Sequence, residues 1–171
     1  TIISIELKAN ARAEVEDQIA KDIDGEVLLF LNSLESIVID VDGNRTAFSK
    51  KKVQESTLIE QVTSQENKSS NWNIKSLKGV FEDLAMPYEI SFAWKEALDE
   101  SRDYIYSYFR TKVPLKCKGI LHGSFELNAD RNLIIQDEDK YNARLIGLLP
   151  KLLTECSAAI TKTSDKVSYA P

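Results

Sequence analysis

Cysteine and histidine are scarce: the 171 residues include two cysteines, Cys117 and Cys156, and one histidine, His122. Neither a CxxC step nor a second histidine accompanies them, so these ligand types cannot assemble a structural zinc site. Two cysteines in a chain this large favour a reduced, cytoplasmic setting over a disulfide scaffold. Glycine and proline are few, six and four, while 43% of residues are hydrophobic and 29% charged, the balance of a folded domain and not of a disordered or fibrous chain. No apolar run approaches the roughly 18 residues of a membrane span. The opening Thr1-Ile2-Ile3-Ser4-Ile5-Glu6-Leu7-Lys8 has no initiator Met and lacks the basic-then-apolar layout of a signal peptide. A glycine-rich phosphate loop is absent as well. With 22 basic residues against 27 acidic ones, the net charge of −5 disfavours nucleic acid and gives no attraction to an anionic membrane surface.

The length suits one domain, or one domain with a fragment of a second. Ile3, Ile5 and Leu7 alternate with polar residues, the period of a half-buried strand. Asn10 stands where an N-cap belongs, and Ala11, Val15 and Ile19 then recur at four-residue spacing, which predicts an amphipathic helix ended by Gly25. The apolar run from Glu26 to Leu34 predicts a second, more buried helix ending near Glu35. Ile37, Ile39 and Val41 alternate again, and Asp42-Gly43-Asn44 supplies the positive-φ residues of a tight hairpin turn before a return strand through Phe48.

Residues 50–80 carry a weaker pattern, with a polar loop expected over Ser64 to Asn71 and a strand on each side of it, Trp72 and Ile74 lying on the second. Tyr88, Ile90, Phe92 and Trp94 give a strong strand signal bounded by Pro87, and Tyr104 to Phe109 and Lys118 to Leu127 predict two more. Asn128 to Asn132 breaks the last of these with a turn. From about Asp139 to Ile160 one helical stripe runs through Tyr141, Leu145, Leu152 and Cys156, and Pro150 should kink or split it. Residues 161–171 are a polar tail. The expected class is α+β: a mainly antiparallel sheet with helices packed on one face, preceded by a residual strand and linker helices.

Few residues present themselves for chemistry. His122 and Ser124 share a strand face, but two parallel side chains without a strand-to-helix elbow make a poor nucleophile and base, so His122 reads as a surface or interface residue. Alternation sends Lys116 and Lys118 away from Cys117, so its thiol gains little activation. The acidic groups Asp99, Glu100, Asp103 and Asp137, Glu138, Asp139 have no EF-hand spacing and read as a solvated loop and a helix N-terminus. Lys50-Lys51-Lys52 reads as a solvated turn. Arg131 differs, because a strand leads into its polar loop and a helix comes after it, so its guanidinium is presented at the end of the sheet. That position suits a phosphate contact; the commoner role for a single loop arginine is a pair with Asp130 or Asp137, and the residues alone favour it.

Leu127-Asn128-Ala129-Asp130-Arg131-Asn132-Leu133, followed by Asn142 and the leucine-rich helix, resembles the catalytic loop in the middle domain of the ninety-kilodalton heat-shock chaperone family. The preceding Leu121-His122-Gly123-Ser124-Phe125-Glu126-Leu127 is similar to the corresponding region of sacsin-type and bacterial chaperone-like ATPases. The opening strand and the segment from Glu26 to Ile39 resemble the end of a GHKL-type ATP-binding domain and its exit. The resemblance implies that residues 1–8 close an upstream ATP-binding domain, 9–34 are connecting helices, 35–160 form the middle, transducer-like domain, and 161–171 trail from it. It makes Arg131 the candidate catalytic residue, contacting the γ-phosphate, with Asn128 and Asn132 as cofactor-site residues that position the loop.

The nucleotide pocket of that family needs a magnesium-binding Asn, an adenine-reading Asp and glycine-rich lid segments, none of which this chain contains. The resemblance therefore implies a fragment of a longer ATPase. It would bind neither cofactor nor metal alone, whereas ATP and Mg are expected in the intact parent. The implied partner is the upstream ATP-binding domain of the same protein, and a dimeric parent is compatible with it. A different reading is an independent protein-interaction module built on exposed aromatics such as Trp72, Trp94, Tyr104, Tyr106 and Tyr108. Burial of the tyrosines favours the transducer, and a solvent-exposed tyrosine face favours the module.

Overall fold

In the computed structural model, residues 11–95, 104–115, 117–135 and 141–160 are described. The opening strand, Asn10, the acidic clusters and the tail lie outside them. The chain runs α1 (Arg12–Asp22), a 3-10 turn (Gly25–Leu29), β1 (Ser36–Val41), β2 (Asn44–Val53), β3 (Ser56–Val62), β4 (Asn67–Phe81), β5 (Met86–Trp94), β6 (Tyr104–Ser107), β7 (Phe109–Pro114), β8 (Ile120–Gly123), α2 (Tyr141–Gly147) and α3 (Leu149–Ile160). The strands form one eight-stranded sheet in the order β1-β2-β3-β4-β5-β8-β6-β7, antiparallel except where β6 runs parallel to β8. The α+β class read from the sequence is the one observed.

Local chemistry sets the first half. Asp42 and Gly43, at φ 52° and 82°, make the two-residue turn that matches strand twist, and Val41 pairs with Asn44 across it. The long β4 joins two half-sheets: Asn67 to Asn73 pair with β3, and Asn73 to Phe81 pair with β5. The stretch expected as a loop over 64–71 is therefore mostly strand. Only residues 63–66 turn, held by Thr63 Oγ1, which accepts from the N–H groups of Gln65 and Glu66. Ladder pairing with β3 outweighs the polar composition of the segment, whose side chains are largely exposed.

The sheet buries both faces. On one, Ile90, Phe92, Trp94, Leu121 and Phe125 meet Tyr141, Leu145, Leu152 and Cys156 of α2 and α3. Leu148 separates these helices two residues before Pro150, close to where the sequence predicts the split. On the other face, Val27, Leu28, Leu29 and Phe30 cover Phe48, Ile59, Trp72, Ala93, Tyr106 and Ile120. The buried helix expected over residues 26–34 is replaced there by the 3-10 turn. With four consecutive apolar residues all inserted into the core, no polar face is left for a longer helix. Lys50 Nζ instead donates to the freed carbonyls of Leu28 at 3.1 Å and Leu31 at 2.7 Å. Lys50 thus sits in the middle of β2 and caps a neighbouring segment, which corrects its assignment to a solvated turn. Gly25 lets this segment approach, since a Cβ there would come within 2.8 Å of Ile59 and 2.9 Å of Phe48.

Two other expectations change. The strand predicted over 104–109 is broken at Tyr108, which has φ 64° and starts the turn from β6 into β7. His122 is wholly buried, not on the surface: its ring stacks on Phe30 at 4.5 Å and meets Tyr108 edge-on at 5.1 Å. Among the described residues neither ring nitrogen has a hydrogen-bond partner, and burial, with the nearby Lys78 charge adding to it, pushes the imidazole pKa down from 6.5 to about 4. The unfolded chain therefore binds a proton in this window that the folded chain refuses, so stability is full above 6.5 and falls with pH towards 4. On denaturant titration the wild type should lose up to about 3 kcal/mol more than His122→Leu across this window. Parallel pH curves for the two proteins would contradict this account.

Candidate functional site

After β8 the chain leaves the sheet as a short ribbon, residues 126–135, closed by a single bridge between Leu127 and Ile134. Asn128 organises its tip. The Asn128 side-chain Oδ1 accepts from the N–H groups of Asn132 and Leu133, both at 3.0 Å, and its Nδ2 donates to Asn132 Oδ1 at 3.2 Å. Its backbone carbonyl accepts from Arg131 N at 2.8 Å, and its N–H donates to Leu133 O at 3.0 Å. Such self-bonding turns are what asparagine side chains favour. The sequence places Asn128, Arg131 and Asn132 in one turn, and the structure brings all three together.

Arg131 sits at the tip with φ 56°, a left-handed conformation that costs a residue bearing a Cβ about 1 kcal/mol or more. It is exposed, and among the described residues its guanidinium makes no ion pair. Asp130, the neighbour that could have neutralised it, does not bond to it; Asp137 lies outside the described residues. A guanidinium offers five donors in a planar fork with permanent charge, the geometry for an oxyanion. The exposed Lys112 on β7 is joined to the same turn, its N–H donating to Asn132 O at 2.8 Å. The arrangement puts two exposed cations beside one ordered turn, chemistry that suits an anion. Among the described residues it contains no paired base for proton transfer.

Asn142 enters the sequence pattern only as a residue beyond the loop, and its contact with the ribbon is the feature periodicity misses. Buried in the first turn of α2, it donates through Nδ2 to Glu126 O at 2.9 Å and Ile135 O at 2.8 Å, and accepts at Oδ1 from Glu126 N at 2.8 Å. The one signal for it is an asparagine, a poor helix former, beside the apolar stripe.

The remaining candidates have other employment. Ser124 Oγ meets the Tyr141 hydroxyl and the backbone of Glu89, not His122. Cys156 is buried, and loss of solvent pushes its thiol up to about 11, so it is inert packing. A cleft of about 420 Å³ on the face of the 3-10 turn includes Lys50, Lys78 and Glu89, but Lys78 pairs with Glu89 at 2.8 Å and Lys50 is held by carbonyls. Among the described residues no group of three or more His, Cys, Asp or Glu side chains can hold a metal ion. Trp72, Trp94 and Tyr106 are core, Tyr104 is half-buried beneath Arg110, and only Tyr108 of the tyrosine series is exposed. The aromatic face of an interaction module is thus largely interior. No described helix is long and apolar enough to cross a membrane.

Compared with protein-family models, with curated proteins and with solved structures, the chain gives no match.

The strained conformation at Arg131 has a measurable signature. Arg131→Gly should leave stability unchanged or raise it by up to about 1 kcal/mol in urea denaturation, because relief at positive φ offsets the entropy of glycine. A loss beyond about 1 kcal/mol would place Arg131 in the packing of the ribbon instead.

Proposed function

We propose that this chain presents Arg131 to the terminal phosphate of a nucleotide held by a separate domain, as the middle domain of a GHKL, chaperone-like ATPase. The observation that carries the reading is the exposed Arg131, free of ion pairs among the described residues and held at positive φ on a turn whose backbone Asn128 fixes. Asp42, Gln54, Ala85 and Tyr108 share a positive φ at the other turns, so what sets Arg131 apart is an exposed guanidinium without an ion pair among the described residues. The sequence around it, Leu127 to Leu133, supports the same reading by resemblance.

The chemistry comes from charge. Phosphoryl transfer spreads negative charge over the oxygens of the transferred group, and a guanidinium at hydrogen-bond distance stabilises that charge more than it does the ground state. ATP and Mg would be held by the partner domain, whose residues supply the nucleotide pocket. This chain holds neither. Its part is to complete the site when the two domains close and to transmit that closure to the downstream part of the protein, so hydrolysis belongs to the assembled protein and not to this segment alone. Cys117 and Cys156 are both thiols, which fits a reducing, cytoplasmic setting.

Arg131→Ala in the full-length protein should lower kcat for ATP hydrolysis by about a hundredfold or more while nucleotide Kd moves by less than about threefold. Arg131→Lys should fall between, since an ammonium keeps the charge but not the fork. Steady-state turnover and equilibrium nucleotide binding measure the two separately, and an unaltered rate in Arg131→Ala would overturn the reading.

A further inference from the structure

Two successive residues tie α2 to different parts of the molecule. The Tyr141 hydroxyl donates to Pro87 O at 2.8 Å and meets Ser124 Oγ, which fastens the first turn of α2 to β5 and to the residue after β8. Asn142 fastens the same turn to the ribbon. Its two acceptors, Glu126 O and Ile135 O, lie on opposite arms, so one carboxamide spans the ribbon below Arg131. An isolated two-stranded ribbon is marginal in water. This one has a single bridge and two backbone hydrogen bonds between its own arms, Ile135 N–H to Glu126 O at 3.1 Å and Asn128 N–H to Leu133 O at 3.0 Å, and its neighbours add the rest: Asn142 across the base and Lys112 at the tip. A displacement of α2 must either carry the ribbon or break the hydrogen bonds of a buried carboxamide, which is costly.

We propose that Asn142 is the positioning residue for Arg131, making the set of α2 and α3 and the presentation of the guanidinium one linked variable. This rests on the reading of Arg131 as a phosphate contact. Asn142 touches no nucleotide in this arrangement; it acts through the ribbon backbone. The residue type is specific, because only an amide offers an acceptor to Glu126 N–H and two donors to the carbonyls. An aspartate would keep the first contact and turn a carboxylate oxygen towards Glu126 O and Ile135 O. Engagement of Arg131 by an anion would then favour one placement of the C-terminal helices, and by linkage that placement would favour engagement.

The test uses the full-length protein with Asn142→Asp, Asn142→Ala and Arg131→Ala, reading amide hydrogen exchange and ATP turnover. In both Asn142 variants the amides of Arg131, Asn132 and Leu133 should exchange at least about tenfold faster, while β3 and β4 stay protected. The kcat should fall about ten- to a hundredfold with little change in KM, and adding Asn142→Asp to Arg131→Ala should cost nothing further. Unchanged exchange at the three ribbon amides would overturn the proposal. So would normal turnover in Asn142→Asp when Arg131→Ala is impaired, and so would loss of β3 and β4 protection, which would assign Asn142 to folding of the whole domain. If Arg131→Ala alone leaves turnover intact, the phosphate reading falls by itself, and the exchange measurement still decides whether Asn142 sets the ribbon.

Discussion

A ribbon of ten residues with one bridge and a few backbone hydrogen bonds is marginal by itself, and here a single buried carboxamide fastens both of its arms to a helix. Asn142 reaches both arms through three hydrogen bonds, all between 2.8 and 2.9 Å. The carboxamide is buried although Glu126 and Ile135 are exposed, so the amide itself depends on these partners and is destabilising without them. Asn128 repeats the device at the tip with shorter reach. Between them the two asparagines determine where Arg131 sits, and the sheet determines where the two asparagines sit.

That sheet owes its placement of the ribbon to an unequal division of labour along β4. Its first half pairs with β3 and builds the meander of β1, β2 and β3, whose core is closed by the 3-10 turn. Its second half pairs with β5, and β5 carries β8, from which the ribbon departs. The helices α2 and α3 lie over this second region, so they share a core with the ribbon while the first three strands lean on the opposite face. His122 stands between the two regions: on β8, yet packed under Phe30 of the opposite layer, with no hydrogen bond among the described residues. A neutral imidazole there acts as an aromatic wedge, and protonation opposes the fold.

Much of this is legible because the responsible signals are local. Asp42-Gly43-Asn44 dictates its turn through positive φ, Tyr88 to Trp94 alternates because the face opposite its polar residues packs under helices, and Pro150 interrupts a helix for lack of an N–H. The turn of Arg131 is legible for the same reason, as a polar break after an apolar strand. Features that depend on partners distant in sequence are not. Val27 to Phe30 are apolar enough for a buried helix, yet the carbonyls released around them are taken by Lys50, some twenty residues on. Ser69 and Ser70 look like loop until β3 lies beside them. His122 shows the period of a strand, but periodicity does not say whether the outward face is covered. Asn142 is the sharpest case, since composition cannot reveal which carbonyls an amide will meet.

On this reading the molecule is a scaffold for presenting one cation, with chemistry supplied by whatever that cation meets. The sheet is the rigid part, the ribbon the presented part, and the first turn of α2 the joint between them. The most direct measurement is a structure of the full-length protein with Mg and a non-hydrolysable ATP analogue. The Arg131 guanidinium should then lie at hydrogen-bond distance, about 3 Å, from an oxygen of the terminal phosphate. A terminal phosphate fully coordinated by other residues, with Arg131 turned to solvent, would contradict it.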